Sequence, residues 1–142
     1  FDDQLINFEF DKSELLPESR DFVSQVGRFL ASEKHLWENV KIEGHTDSRG
    51  GDDYNRNLSD GRSRSVAGEL IAAGVASDRI AAQGHGEASP LDSDESEIAW
   101  ARNRRVEMSF EGVTNAKRLR DAINKIKFKT FKPRTCDGET CR

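Results

Sequence analysis

Apolar residues in this chain switch between two periods, and that switching constrains the fold more than any other feature of the sequence. LINFEF (Leu5 to Phe10) and RRVEMSF (Arg104 to Phe110) alternate apolar and polar residues, as half-buried strands do. Trp37, Val40 and Ile42 mark a second strand that ends near Gly44, and RIAAQGHG (Arg79 to Gly86) a third. Between them, Phe22, Val23, Val26, Phe29 and Leu30 recur every three or four residues. Leu58, Arg62, Val66, Leu70 and Ala73 form a second helical stripe, with Gly74 as its stop. Strands separated by helices of this length predict βαβ units. The last strand follows its predecessor too closely for a full crossover, with room only for a helical turn over Glu97 to Asn103. The expected fold is therefore α+β, a two-layer βαβαβ(α)β arrangement with helices packed on one side of a mixed four-stranded sheet.

The 142 residues make one domain's worth of chain with an appendage. We place the domain at residues 1–112 and a basic C-terminal extension at 113–142. Leu119, Ile123 and Ile126 predict a third long helix within the extension. The net charge is −4, yet Asn115 to Arg142 hold nine Lys/Arg against three Asp/Glu, so the tail carries +6 and the rest −10. Cys136 and Cys141 flank an Asp-Gly turn, which makes a small disulfide-closed end sterically reasonable and fits an oxidising compartment. Two free thiols or half of a metal site are the alternatives. No apolar stretch reaches the length of a membrane span. The first residue is Phe1 rather than Met, from which we expect a processed or excised piece with an anchor, signal peptide or domain upstream.

The densest chemistry lies in GHTDSRGGDDYNRNLSDGRSRSV, from Gly44 to Val66. Asp47 falls just beyond the carboxyl end of a strand, where sheets of this type commonly contact ligands. Arg62 falls at what reads as the first turn of the next helix, within its apolar stripe rather than opposite it. Gly44, Gly50 and Gly51 would free the backbone around the acid. Two readings of the pair stand on spacing alone. Asp47 and Arg62 close the loop as a salt bridge, or together they form a socket for a zwitterion, the acid taking an ammonium and the arginine clamping a carboxylate.

Other chemistries find less support. His45 lies two residues from Asp47, but no nucleophile, base and orienter converge in the pattern, and Ser59 reads as a helix-start hydrogen-bonding residue. His35 and His85 are isolated. Asp47, Asp52 and Asp53 lack the alternating oxygen ligands and closing Glu of a calcium loop. No motif for reading nucleic acid is present, and the acidic body would repel phosphates. No catalytic residue, metal or cofactor is expected.

VKIEGHTDSRGGDDYNRNLSDGRSRSVAGELIAAGV, RIAAQGHGEASP and ARNRRVEMSF resemble, in order and spacing, the OmpA-like peptidoglycan-binding domain family. That family includes outer-membrane proteins, peptidoglycan-associated lipoproteins and periplasmic parts of flagellar stators. The resemblance runs from about Leu5 to Phe110, with INFEFDKSEL similar to the family's opening strand. It implies a ligand, the meso-diaminopimelate of the peptidoglycan stem peptide, whose side-chain end carries an ammonium and a carboxylate. By the same resemblance Asp47 takes the ammonium and Arg62 the carboxylate. Asn55 and Leu58 border the pocket, Thr46 and the residues just after Asp47 shape the loop, and Asn103 and Arg104 lie near it as framework or contact. A periplasmic location tethered to the outer membrane is implied as well, and so is a possible envelope-complex partner. The family is silent on residues 113–142.

Overall fold

Pro17 opens the first helix, where its fixed φ and missing N–H suit the first turn. Gly74, at φ 112°, follows the end of the second in a conformation that glycine adopts without strain. The computed structural model describes residues 4–9 and 11–130. In chain order these form β1 (Gln4–Asn7), α1 (Pro17–Ser32), β2 (Asn39–His45), α2 (Asp52–Ala72), β3 (Ile80–Gly84), α3 (Glu97–Asn103), β4 (Arg105–Glu111) and α4 (Ala116–Thr130). Short 3-10 turns precede β2 and β3.

The sheet runs β1-β4-β2-β3, with β2 and β3 parallel and β4 antiparallel to both its neighbours. It is mixed, as expected, because β4 returns through the short α3 and inserts between β1 and β2. Val40, Ile42, Val106, Met108 and Phe110 share a core with Phe22, Val26 and Leu30 of α1 and Val66 and Leu70 of α2. Full burial of each such side chain is worth about 1.5–3 kcal/mol over exposure. Lys41, Glu43, Glu107 and Ser109, at the alternate positions, are exposed or half-buried, so the helices cover one side of the sheet.

The basic segment does not stand apart from this body. Leu119 and Ile123 of α4 are fully buried in the same core, and α4 packs against α1. Lys117, Arg118, Arg120, Lys125 and Lys129 are exposed. Cys136 and Cys141, with the disulfide expected between them, lie outside the described residues.

Two expectations are corrected. The second helix begins at Asp52, so Arg62 and Ser59 sit mid-helix rather than in its first turn. The early turns lack an apolar stripe because they cover a polar site, so hydrophobic periodicity does not reveal them. Asp52 and Asp53 in the first turn favour the helix through its dipole. Gly44 is likewise not a loop glycine. It pairs with Gly84 across β2 and β3, where α2 crosses so closely that a Cβ on Gly44 would lie 2.1 Å from the Ser59 carbonyl oxygen. A Cβ on Gly84 would meet Ser59 Oγ at 2.3 Å. These two glycines bring α2, and with it Arg62, down onto the carboxyl end of β2.

Candidate functional site: a charged socket at the end of β2

Arg62 is fully buried, and its guanidinium is a fastener. Nε donates to the Lys12 carbonyl (2.8 Å), Nη1 to that of His45 (2.9 Å) and Nη2 to that of Glu9 (3.0 Å). One side chain therefore ties the end of β2 to the β1–α1 connection, stacked over the Phe8 ring at 5.2 Å. Burial, and then the Arg104 charge, push its pKa down to about 10, with Asp47 and Asp11 opposing. The group stays charged at neutral pH.

Asp47 is 4% exposed and does not pair with Arg62. Its Oδ1 accepts from the Arg49 backbone N–H (2.9 Å) and from Arg49 Nε (3.3 Å), while Oδ2 accepts from Arg49 Nη2 (2.9 Å). Arg104 Nη1 stands 3.5 Å from the same Oδ2, and Arg104 Nε donates to the Phe8 carbonyl. Burial raises the Asp47 pKa, but the Arg49 hydrogen bonds and the Arg104 contact outweigh it and hold the carboxyl below its ordinary range.

The salt-bridge reading of Asp47 with Arg62 thus does not describe the molecule. Both residues instead line one cavity of about 10 Å³, together with Asp11, Thr46, Arg49, Tyr54, Asn55 and Leu58. Thr46 Oγ1 and Asn55 Nδ2 are buried there with no hydrogen-bond partner among the described residues. Such orphaned groups are costly unless something else satisfies them. Asn103 serves the framework. Its Oδ1 accepts from the Leu91 and Asp92 N–H groups and its Nδ2 donates to the Asp92 carbonyl, which fixes the loop beside Thr46.

Sequence reasoning missed Arg49, Trp100 and Asp11. Arg49 had one available signal, its place two residues after an Asp, where its backbone N–H can donate to the Asp side chain and close an Asx turn. Trp100 Nε1 donates to Glu95 (2.9 Å), and the Trp100 ring carries the Arg49 guanidinium at 4.1 Å. Asp11, at φ 58°, reaches the cavity from the β1–α1 connection, which no local pattern links to the loop. Among the described residues, no group of three or more His, Cys, Asp or Glu is placed to hold a metal ion.

His45 lies beneath the socket, buried, with neither ring nitrogen hydrogen-bonded among the described residues, and stacked on His85 at 5.3 Å. Burial first, then the Arg105 and His85 charges, lower its pKa to about 4, with Glu43 opposing. The unfolded chain takes up this proton near pH 6.5 and the folded chain only near 4, so stability falls as pH falls through that window. Denaturant unfolding should lose about 3 kcal/mol between pH 7 and pH 4 on this account. His45→Gln should flatten that part of the profile.

The βαβαβ(α)β order with its mixed four-stranded sheet places the domain in the α+β class. The OmpA family model matches residues 7–104, and the chain belongs to the OmpA family. Outer membrane porin F of Pseudomonas fluorescens is 42% identical over 106 residues, covering 75% of this chain and 32% of that protein. The peptidoglycan-associated lipoprotein of Burkholderia pseudomallei superposes with a TM-score of 0.71 at 27% identity, covering 75% of this chain and 89% of that structure. The cell wall anchor of the type VI secretion system (T6SS) from Pseudomonas aeruginosa superposes at 0.62 and 27%, covering 73% and 76%. The chain spans 32% to 58% of the length of curated relatives such as porin F, outer membrane protein A of Bordetella avium and a Pseudomonas aeruginosa lipoprotein.

Proposed function

We propose that this domain binds peptidoglycan non-covalently through the meso-diaminopimelate of its stem peptide, and so anchors the outer membrane or an envelope complex to the cell wall. The observation that carries the proposal is the pair of orphaned buried groups, Thr46 Oγ1 and Asn55 Nδ2, in a cavity lined by a buried Asp and a buried Arg. A zwitterion supplies what each lacks. Its ammonium goes to Asp47, and its carboxylate accepts from Asn55 Nδ2, Thr46 Oγ1 and the N–H groups that Arg62 has not given to backbone. Each charge-assisted contact contributes about 1.5–3 kcal/mol net. Leu58, half-buried, forms the apolar wall.

Binding of this kind requires no catalytic residue and no cofactor, and it suits a periplasmic domain tethered to the outer membrane. The names of the lipoprotein and of the secretion-system anchor support the reading. The second of these favours a variant of it, in which the domain immobilises a stator or secretion machine and the basic tail docks a protein partner.

Co-sedimentation with insoluble wall tests the proposal. The chain should pellet with diaminopimelate-type peptidoglycan and stay in solution with a Lys-type wall. Equal recovery in both pellets, or in neither, would contradict it.

A further inference from the structure

The cations of α4 do not fold back onto the acidic body. Leu119 and Ile123 turn one side of the helix into the core, so its apolar stripe is already used. Over Ala116–Thr130 the chain holds six Lys/Arg and one Asp, a local charge of +5. Arg118 pairs with Glu33 at the end of α1, and Lys117 with Asp121 at 2.8 Å within the helix. Among the described residues, no ion pair engages Lys125, Lys127 or Lys129. Phe128 stands between these lysines and is 69% exposed. By helical spacing it lies nearly opposite the Leu119–Ile123 stripe, on the outermost line of the helix. Lysines in a last turn complement the helix dipole, which accounts for Lys127 and Lys129 but not for an aromatic ring in water beside them.

We infer that the outward face of α4 is a docking surface for an anionic phospholipid bilayer. Lys125, Lys127 and Lys129 are drawn to the headgroup phosphates, and Phe128 enters the boundary between headgroups and acyl chains. The lysine stems lie along that boundary while their ammonium groups stay in water. The residue type favours lipid over an acidic protein. A lysine is a point charge on a flexible stem, suited to a fluid array of phosphates, and it lacks the planar fork with which an arginine reads a fixed carboxylate. Charge sets the approach as well. The rest of the chain carries −10 and is repelled by the same surface, so the molecule meets it with α4 foremost. The docking face and the socket do not overlap. Thr114, just before α4, donates from its backbone N–H to the Leu36 carbonyl ahead of β2 (2.9 Å), so α4 starts at the end of the sheet opposite Asp47. Its last residue, Thr130, accepts from Gln25 midway along α1 at 3.2 Å.

Flotation of the full chain with vesicles tests this, using mixed phosphatidylglycerol and phosphatidylcholine beside phosphatidylcholine alone. The chain should float with the anionic vesicles only, and less of it should do so as salt is raised. Replacing Lys125, Lys127 and Lys129 together by Gln should lower partitioning about a hundredfold, at about fivefold for each lysine near the surface. Phe128→Ser leaves the charge unchanged and should lower it about tenfold. Equal recovery with both kinds of vesicle, or undiminished flotation of the folded triple variant, overturns the inference. Undiminished flotation of folded Phe128→Ser would make the face a general polyanion binder and overturns the assignment to lipid. Concentration-dependent self-association in place of flotation would give the face to the acidic body of a second copy and overturns it too. Asp47→Asn should float as the wild type does, so failure of the wall-binding reading leaves this inference standing.

Discussion

Arg62→Ala should lower the unfolding free energy by about 4.5 kcal/mol, the sum of three hydrogen bonds from a buried charged donor to main-chain carbonyls at roughly 1.5 kcal/mol each. The carbonyls of Glu9, Lys12 and His45 lose their donor together, and these belong to two separate stretches of chain that this guanidinium ties to each other. The melting temperature should fall on the order of 10–15 °C for a domain of this size. Arg62→Lys keeps the charge but presents a single ammonium in place of a fork, so it should recover only part of the loss. Wall binding should fail in the alanine variant, and that failure will report the collapsed β1–α1 connection as much as a missing ligand contact. A melting temperature within about 3 °C of wild type would show that the three bonds hold nothing together.

Asp47→Asn separates binding from folding more cleanly. The amide keeps the shape of the side chain and can still accept from the Arg49 backbone N–H, so the loop should keep its turn. What disappears is the negative charge for the ammonium. Affinity for a diaminopimelate stem peptide should drop about 30-fold or more, equivalent to ~2 kcal/mol, the scale of one charge-assisted hydrogen bond. The same carboxylate gives the pH dependence its sign. Arg49 and Arg104 hold its pKa below the ordinary range, so the charged form, and binding with it, should persist as pH falls through the usual carboxylate range and be lost only below it. Affinity within threefold of wild type in a folded Asp47→Asn chain would remove Asp47 from the site.

Much of this molecule can be read from its sequence because local pattern and global fold agree. The alternation of Val106, Met108 and Phe110, the helical stripe of α1 and the stop at Gly74 each appear where their periods place them. The close spacing of β3 and β4 pointed to a mixed sheet, and the sheet is mixed. The length of α2 was hidden for a physical reason. Its first turns face Asn55 and Ser59 toward a polar site and two glycines, so apolar periodicity starts only where the helix reaches the core.

The site divides along the same line. Asp47, Thr46, Asn55, Leu58 and Arg62 lie within one loop and the helix after it, and motif spacing brings them together. Arg104 could be named from its motif. Arg49 and Trp100 depend on a stacking contact between β2's loop and α3, and Asp11 on a turn from the far edge of the sheet, contacts that no one-dimensional pattern encodes. The roles of Asp47 and Arg62 also look alike in sequence. Only the three carbonyls around Arg62 reveal that one of the two charges holds the fold as well.

Calorimetric titration of the chain with a diaminopimelate-containing stem tripeptide, beside the Lys-containing equivalent, tests the zwitterion socket most directly. The two ligands share the ammonium and differ in the carboxylate. The account predicts saturable one-to-one binding of the first and a preference over the second of about tenfold or more, the value of one charge-assisted contact. Equal affinity for the two would mean that nothing in the cavity reads the carboxylate, and would contradict it.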